Sequence, residues 1–188
     1  LTYNSKLDKL GGDNPPFIFS KYFSVFMSYE IIDNFLDGEV FDTIQKSILY
    51  SGSFPWYLAR GVSNVTCDDG YYFVHLLYKD YSPNSEHLNL LTPLLESINC
   101  FSLKRIKANL YPTTNQIEYH EYHVDYNIPH KGLIFYLNTN NGKTILNDTI
   151  EIDSIANRAL FFDPSIPHRS TTCTDDPVGR FNINFNFM

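Results

Sequence analysis

The chain carries one tryptophan, three cysteines and 14 lysines and arginines against 21 aspartates and glutamates in 188 residues. Each shortage closes a class of reading. Cys67, Cys100 and Cys173 are odd in number and widely spaced, which fits neither a disulfide framework nor a paired-cysteine metal site, so a reducing compartment is expected. A formal net charge of −7 and a pI near 5.2 supply no basic footprint for nucleic acid. No apolar run approaches the roughly 18 to 20 residues of a membrane span. The chain opens at Leu1 without a basic-then-apolar signal pattern, so a trimmed cytoplasmic protein is expected.

Aromatic residues are abundant: 15 Phe and 14 Tyr bring the aromatic fraction to 16% within a chain that is 43% hydrophobic. With a mean hydropathy of −0.24 this is a globular composition, and the length suits one domain. Residues 1–16, ending in Gly-Gly-Asp-Asn-Pro-Pro, read as an N-terminal arm. Residues 17–188 read as a single domain, with helical support over 33–100 and a barrel core over 104–188. Leu36, Val40, Phe41, Ile44 and Ile48 recur at helical spacing over 33–50, with Asp33 or Asp37 as cap and Gly52 as stop. A second helix is predicted over 85–99, shortened or kinked by Pro93. The intervening residues 53–70 read as a loop insert.

Beyond Cys100 the chain becomes a series of short β-branched and aromatic segments separated by turn residues. Strands are predicted over 104–111, 119–126, 131–138, 143–147, 149–152, 158–162, 168–173 and 180–187. Helices followed by many short antiparallel strands predict a mainly β, α+β sandwich or barrel with the helices packed on one sheet. In the last segment Phe181, Ile183, Phe185 and Phe187 alternate with Asn182, Asn184 and Asn186, the period of a half-buried strand.

The densest polar cluster is Glu118-Tyr-His-Glu-Tyr-His-Val-Asp-Tyr126. On a strand His123 and Asp125 share a face and can converge on one ion. His168, opening a later strand, is the natural third ligand. Two histidines and one carboxylate on one face suit non-haem Fe(II), which keeps its opposite positions open. Arg180 stands in a strand of otherwise unbroken apolar alternation, and an arginine entering a barrel needs a carboxylate partner that a dicarboxylic co-substrate supplies. Two competing motifs fail. Asn141-Gly-Lys-Thr144 lacks the earlier glycine of a phosphate loop, and His120-Glu-Tyr-His123 has the wrong spacing for a helical zinc protease. His120 is expected on the opposite pleat face from His123, at the solvent side or under a loop.

Taken in order, Asn109-Leu-Tyr-Pro112, His123-Val-Asp125, Tyr136-Leu-Asn138, Pro167-His168 and Gly179-Arg180 resemble the 2-oxoglutarate- and Fe(II)-dependent oxygenases, in particular the prolyl-4-hydroxylase-like branch. Lys107-Ala-Asn-Leu-Tyr-Pro112 and Ala156-Asn-Arg-Ala-Leu-Phe-Phe-Asp163 are similar to the small versions encoded by marine bacteriophages, for which the location would be host cytoplasm. The resemblance implies a distorted double-stranded β-helix, or jelly roll, with Fe(II) on His123, Asp125 and His168. It implies Arg180 as the bidentate clamp of 2-oxoglutarate, Tyr111 and Tyr136 as hydroxyl donors to it, and Asn109 and Asn182 as further inward-facing candidates. The implied reaction consumes O2 and hydroxylates an unactivated C–H bond, most simply on a prolyl or other peptidyl or amino-acid side chain, releasing succinate and CO2, with ascorbate as a reductant. A carboxylate at 125 favours hydroxylation over halogenation. Two departures are evident: Gly142-Lys143-Thr144 stands where a Gly-Gly is common, and Asp175-Asp-Pro177 lengthens the interval from His168 to Arg180. Trp56, Tyr57, Arg60, Tyr126, Asn127 and His130 are candidates for the substrate rim, with Trp56 equally placed to pack under its loop. The alternative is a cupin-like metal-binding module or isomerase that needs neither Arg180 nor 2-oxoglutarate.

Overall fold

A computed structural model describes residues 29–61, 70–98 and 100–188, so the predicted arm over 1–16 and Cys67 lie outside the described residues. Along the chain come β1 (Glu30–Ile32), α1 (Gly38–Gln45), β2 (Tyr57–Arg60), β3 (Tyr71–Lys79), β4 (Ser82–Pro83) and α2 (Thr92–Ser97). Then follow β5 (Leu103–Pro112), β6 (Lys131–Tyr136), β7 (Asn140–Leu146), β8 (Ile150–Ser154), β9 (Ala159–Phe162), β10 (His168–Ser170) and β11 (Gly179–Phe187).

Asp37 caps α1 by accepting from the Glu39 amide at 2.9 Å. The helix widens into a π turn over Lys46–Tyr50 and buries Phe41, Ile44 and Ile48. A 3-10 turn over Glu86–Leu91 leads into α2, whose first turn holds Pro93 where a missing N–H costs nothing.

All strand pairing is antiparallel. The large sheet runs β1-β9-β6-β11-β5-β3-β2 with β4 on β3, and the small sheet runs β10-β7-β8. On the outer face of the large sheet Phe181, Ile183, Phe185 and Phe187 join Leu133, Phe135, Ile106 and Leu110 in one cluster with Phe41, Ile44, Ile48, Leu91 and Leu94 from the helical segments. Each such side chain contributes about 1.5 to 3 kcal/mol on burial. The inner face meets the small sheet: Ile134, Tyr136, Leu160 and Phe162 pack against Leu146 and Ile152. This is the expected jelly roll with helices on one sheet.

Three expectations need correction. The region 33–100 is not helical support alone, because β2, β3 and β4 extend the large sheet there. Tyr71–Lys79 lies between β2 and β5, and its sequence is a near-continuous apolar run without the alternation of a half-buried strand. The segment 119–126 is no regular strand; its pairing with 168–171 is reduced to isolated bridges, Tyr119 opposite Thr171 and His123 opposite His168. Finally, β11 is buried on both faces and not half-buried: Asn182 faces inward as expected, and Asn184 and Asn186 join it on the interior of the roll.

Candidate metal centre

The pairing of 119–123 with 168–171 sets the site. Four steps on the first segment oppose three on the second, so one extra residue bulges out between His120 and His123. His120 donates its backbone N–H to Ser170, and His123 and His168 exchange both backbone bonds, at 2.9 to 3.0 Å. Opposed residues share a face, so the bulge turns His120 inward together with His123, His168 and Ser170. The expectation that His120 lies on the other face is therefore overturned: it is 7% exposed, its Nδ1 is 2.8 Å from Ser170 Oγ, and its ring is 5.1 Å from that of Tyr111.

His123, Asp125 and His168 offer ligand atoms that all lie within 4.8 Å of one another. Their tautomers suit a metal. The Nδ1 of His168 is 2.9 Å from the Ile166 carbonyl and the Nδ1 of His123 is 3.4 Å from that of Glu121, which leaves each Nε2 as the free lone pair. Burial, then the neighbouring His168, pushes the His123 imidazole down to about 4. Burial also lowers His168. Both rings are thus neutral at pH 7, and the 3.9 Å between His123 Nε2 and Asp125 Oδ1 is a contact of a neutral ring with a carboxylate and not an ion pair. Burial opposes ionisation of Asp125, but Arg105 and the two histidines outweigh it and hold the carboxyl below its usual range.

A chain of amides reaches this carboxylate from β11. Asn184 donates Nδ2 to Asp125 Oδ2 at 3.1 Å, Asn186 donates to Asn184 Oδ1 at 2.7 Å, and Asn186 Oδ1 lies 2.6 Å from His130 Nε2. A carboxylate only accepts, so Asn184 must present its nitrogen, Asn186 must do likewise, and His130 must donate. His130 Nδ1, 2.8 Å from the Ile128 carbonyl, faces a second acceptor.

Arg180 is wholly buried on the same inner face. Its Nε donates to Ser154 at 2.6 Å and its Nη2 to Thr144 at 2.7 Å, while Tyr136 donates to the same threonine at 2.8 Å. The rings of Tyr111 and Tyr136 flank the guanidinium at 5.4 and 5.6 Å. Its Nη1 is buried without a partner, and among the described residues no carboxylate lies within 4.0 Å. Arg180 stands four residues from Asn184 along β11, about 13 Å of strand. Asn109 donates to Asn182 at 2.9 Å between the two ends. An open cavity of about 670 Å³ adjoins the triad, lined by residues 122–127 and Pro167.

Of the rim candidates, Tyr126 and Asn127 line this cavity and His130 anchors the amide chain. Trp56 packs on Phe54 and Phe181 at 5.1 and 5.8 Å, on the outer face of β11 and away from the triad. Tyr57 and Arg60 lie exposed on β2. Arg105, Lys107, Thr144, Ser154, Ser170, Asn184 and Asn186 were not singled out by sequence. For four of them a signal existed: Asn184 and Asn186 share the parity of Arg180, as Arg105 and Lys107 share that of Tyr111.

No protein-family model and no curated protein matches the sequence. Solved structures do match in shape. A Pseudomonas putida prolyl-4-hydroxylase superposes with a TM-score of 0.57 at 13% identity, covering 86% of this chain and 92% of its own. A Trichoplax adhaerens prolyl hydroxylase, solved with a hypoxia-inducible-factor peptide, gives 0.58 at 16% identity over 85% and 83%. A Burkholderia pseudomallei oxidoreductase of the 2OG-Fe(II) oxygenase family gives 0.58 at 11% over 85% and 84%. The chain has the fold of the prolyl-4-hydroxylase-like 2-oxoglutarate and Fe(II) oxygenases.

Proposed function

We propose that the protein is a 2-oxoglutarate- and Fe(II)-dependent dioxygenase that hydroxylates an unactivated C–H bond, with a prolyl or other peptidyl or amino-acid side chain as substrate. The observation that carries the reading is Arg180: a fully buried guanidinium with no carboxylate partner among the described residues, on the same face as two neutral histidines and an ionised aspartate. Burying such a charge unpaired costs several kcal/mol. A dicarboxylate removes that cost. The donor set fits Fe(II), with two imidazole nitrogens and one carboxylate oxygen on one side.

In this reading His123 Nε2, His168 Nε2 and Asp125 Oδ1 hold the ion. Ser154 and Thr144 orient Arg180 so that Nη1 faces the distal carboxylate of 2-oxoglutarate, with the rings of Tyr111 and Tyr136 on either side of the guanidinium. Iron held there would supply the oxidising chemistry, with O2 giving one oxygen atom to the succinate formed from 2-oxoglutarate as CO2 leaves and the other to the substrate carbon. The protein orients the target carbon at the cavity and keeps water away through the aromatic walls. A peptide substrate is in keeping with the Trichoplax neighbour, which was solved with one.

The test is anaerobic addition of Fe(II) and 2-oxoglutarate, expected to give a weak visible charge-transfer band, followed by air, expected to give succinate. Arg180→Ala should lose 2-oxoglutarate binding and keep the metal. A folded parent protein that shows neither band nor succinate is a cupin-like module and not an oxygenase.

A further inference from the structure

Strand β5 presents Arg105, Lys107, Asn109 and Tyr111 to the inner face, opposite Asn186, Asn184, Asn182 and Arg180 of β11. Two of these are cations beside the triad. Arg105 Nη2 lies 2.8 Å from Asp125 Oδ1 but makes no aligned hydrogen bond, and its Nε is also buried without one. Lys107 has no carboxylate within 4.0 Å among the described residues. Its Nζ rests 3.4 Å from the Tyr72 hydroxyl and 5.4 Å from the centre of that ring. Lys104, also without a carboxylate partner there, lies 3.7 Å over Tyr126 at the cavity wall. In a chain of net charge −7, three cations gather beside the triad and only Arg105 has a carboxylate partner among the described residues.

The charges can be balanced on the oxygenase reading, on which the argument rests. A divalent ion, the 2-oxoglutarate dianion, Asp125 and Arg180 cancel one another. Arg105 and Lys107 are left over. The co-substrate's two carboxylates are already assigned, one to Arg180 and one to the metal. We propose that Arg105, Lys107 and the Tyr72 hydroxyl form a subsite beside the metal for a carboxylate of the primary substrate, so that the enzyme acts on an acidic molecule: a free amino acid or a peptide with an acidic residue next to the oxidised carbon. Lys107 is the discriminating member. Arg105 is shared with Asp125, whereas among the described residues the Lys107 ammonium has a hydroxyl and a ring, and no carboxylate, in place of the water it lost.

The test uses Co(II)-loaded protein saturated with 2-oxoglutarate, titrated with two pairs of probes differing in carboxylate against amide. These are L-proline with L-prolinamide, and acetyl-Glu-Pro-Glu-amide with acetyl-Gln-Pro-Gln-amide. Calorimetry and the Co(II) visible spectrum report binding without turnover. The acid of at least one pair should bind about tenfold more tightly than its amide, the scale of a hydrogen bond to a charged group. Raising salt from 50 to 500 mM should weaken the acid and spare the amide in the parent protein, which needs no variant to fold. Lys107→Met should erase the preference with 2-oxoglutarate affinity unchanged, and Lys107→Arg should retain it. Equal binding of acid and amide overturns the subsite. So does a Lys107→Met protein that keeps the preference or loses 2-oxoglutarate instead. A parent protein that binds neither Co(II) nor 2-oxoglutarate removes the oxygenase reading itself, a different result from equal probe binding on a loaded enzyme.

Discussion

Asn184 donates to Oδ2 of Asp125, and Oδ1, 2.8 Å from Arg105 Nη2 and 3.9 Å from His123 Nε2, is the oxygen that faces the proposed metal position. The amide cannot hold that geometry alone, since its own Oδ1 is fixed by Asn186 and that residue by His130. His130→Leu should therefore lower metal affinity by about tenfold, the usual effect of removing an outer partner of a ligand. His130→Gln keeps an N–H donor toward Asn186 and should recover most of the loss. Titration of each variant with Co(II), read by its visible spectrum, checks this. An unshifted spectrum and affinity in His130→Leu would show that the chain of amides does not orient Asp125.

Gly142 is where the sequence departs from the expected Gly-Gly, and the remaining glycine has a steric reason. A Cβ there would meet Arg180 Cδ and the Thr172 carbonyl at 2.7 Å and Asn140 Oδ1 at 2.9 Å. The backbone atoms cannot yield, so Arg180 would. Gly142→Ala should weaken 2-oxoglutarate binding by roughly tenfold, as one charged hydrogen bond is misaligned, while Co(II) binding stays at the parent level. Calorimetry with each ligand separates the two, and parallel losses would mean that the substitution disturbs the whole roll.

The order of motifs pointed to His123, Asp125 and His168, which the fold gathers within 4.8 Å of one another, and to Arg180, which it buries. The alternation of β11 was equally plain, but a period of two does not say which face meets water; only the helices packed on Phe181 to Phe187 decide that. His120 was misplaced because parity counting assumes an unbroken strand, and a single bulged residue reverses it. Tyr71–Lys79 was missed because Tyr-Tyr-Phe-Val-His-Leu-Leu-Tyr is a near-continuous apolar run with no alternation to read.

Acid should destabilise the metal-free protein. An exposed imidazole titrates near 6.5, whereas His123 in the fold is held at about 4 and His168 is also lowered, both chiefly by burial. Between pH 6.5 and 4 the unfolded chain takes up protons that the native site refuses, so stability is greatest above 6.5 and falls as pH drops through that window. Asp125, lowered in turn, keeps its contribution until pH falls below the ordinary carboxylate range and adds nothing in the window. His75, lowered by burial, acts with the same sign as His123. The thermal midpoint measured at pH 7.5, 5.5 and 4.5 should decline, and His123→Gln should decline less. Parallel curves would mean that His123 is protonated in the fold.

Asn157 ties the chain entering α1 to the large sheet. Its Oδ1 accepts from the Leu36 N–H at 3.0 Å, its Nδ2 donates to the Leu36 carbonyl at 2.8 Å, and its own carbonyl accepts from Phe35 at 2.9 Å. It does so at φ +62°, a left-handed conformation that asparagine tolerates better than alanine. Asn157→Ala strips both side-chain bonds from a buried backbone pair and adds the conformational cost, about 2 to 4 kcal/mol together. Asn157→Gly loses the same bonds but not the backbone fit and should fall between Ala and the parent. Urea unfolding of the three proteins orders them. If Gly and Ala are equally destabilised, the left-handed turn carries no cost and the hydrogen bonds account for the whole tether; if Ala lies within about 0.5 kcal/mol of the parent, α1 is held on the sheet by Phe41 and Ile44 alone.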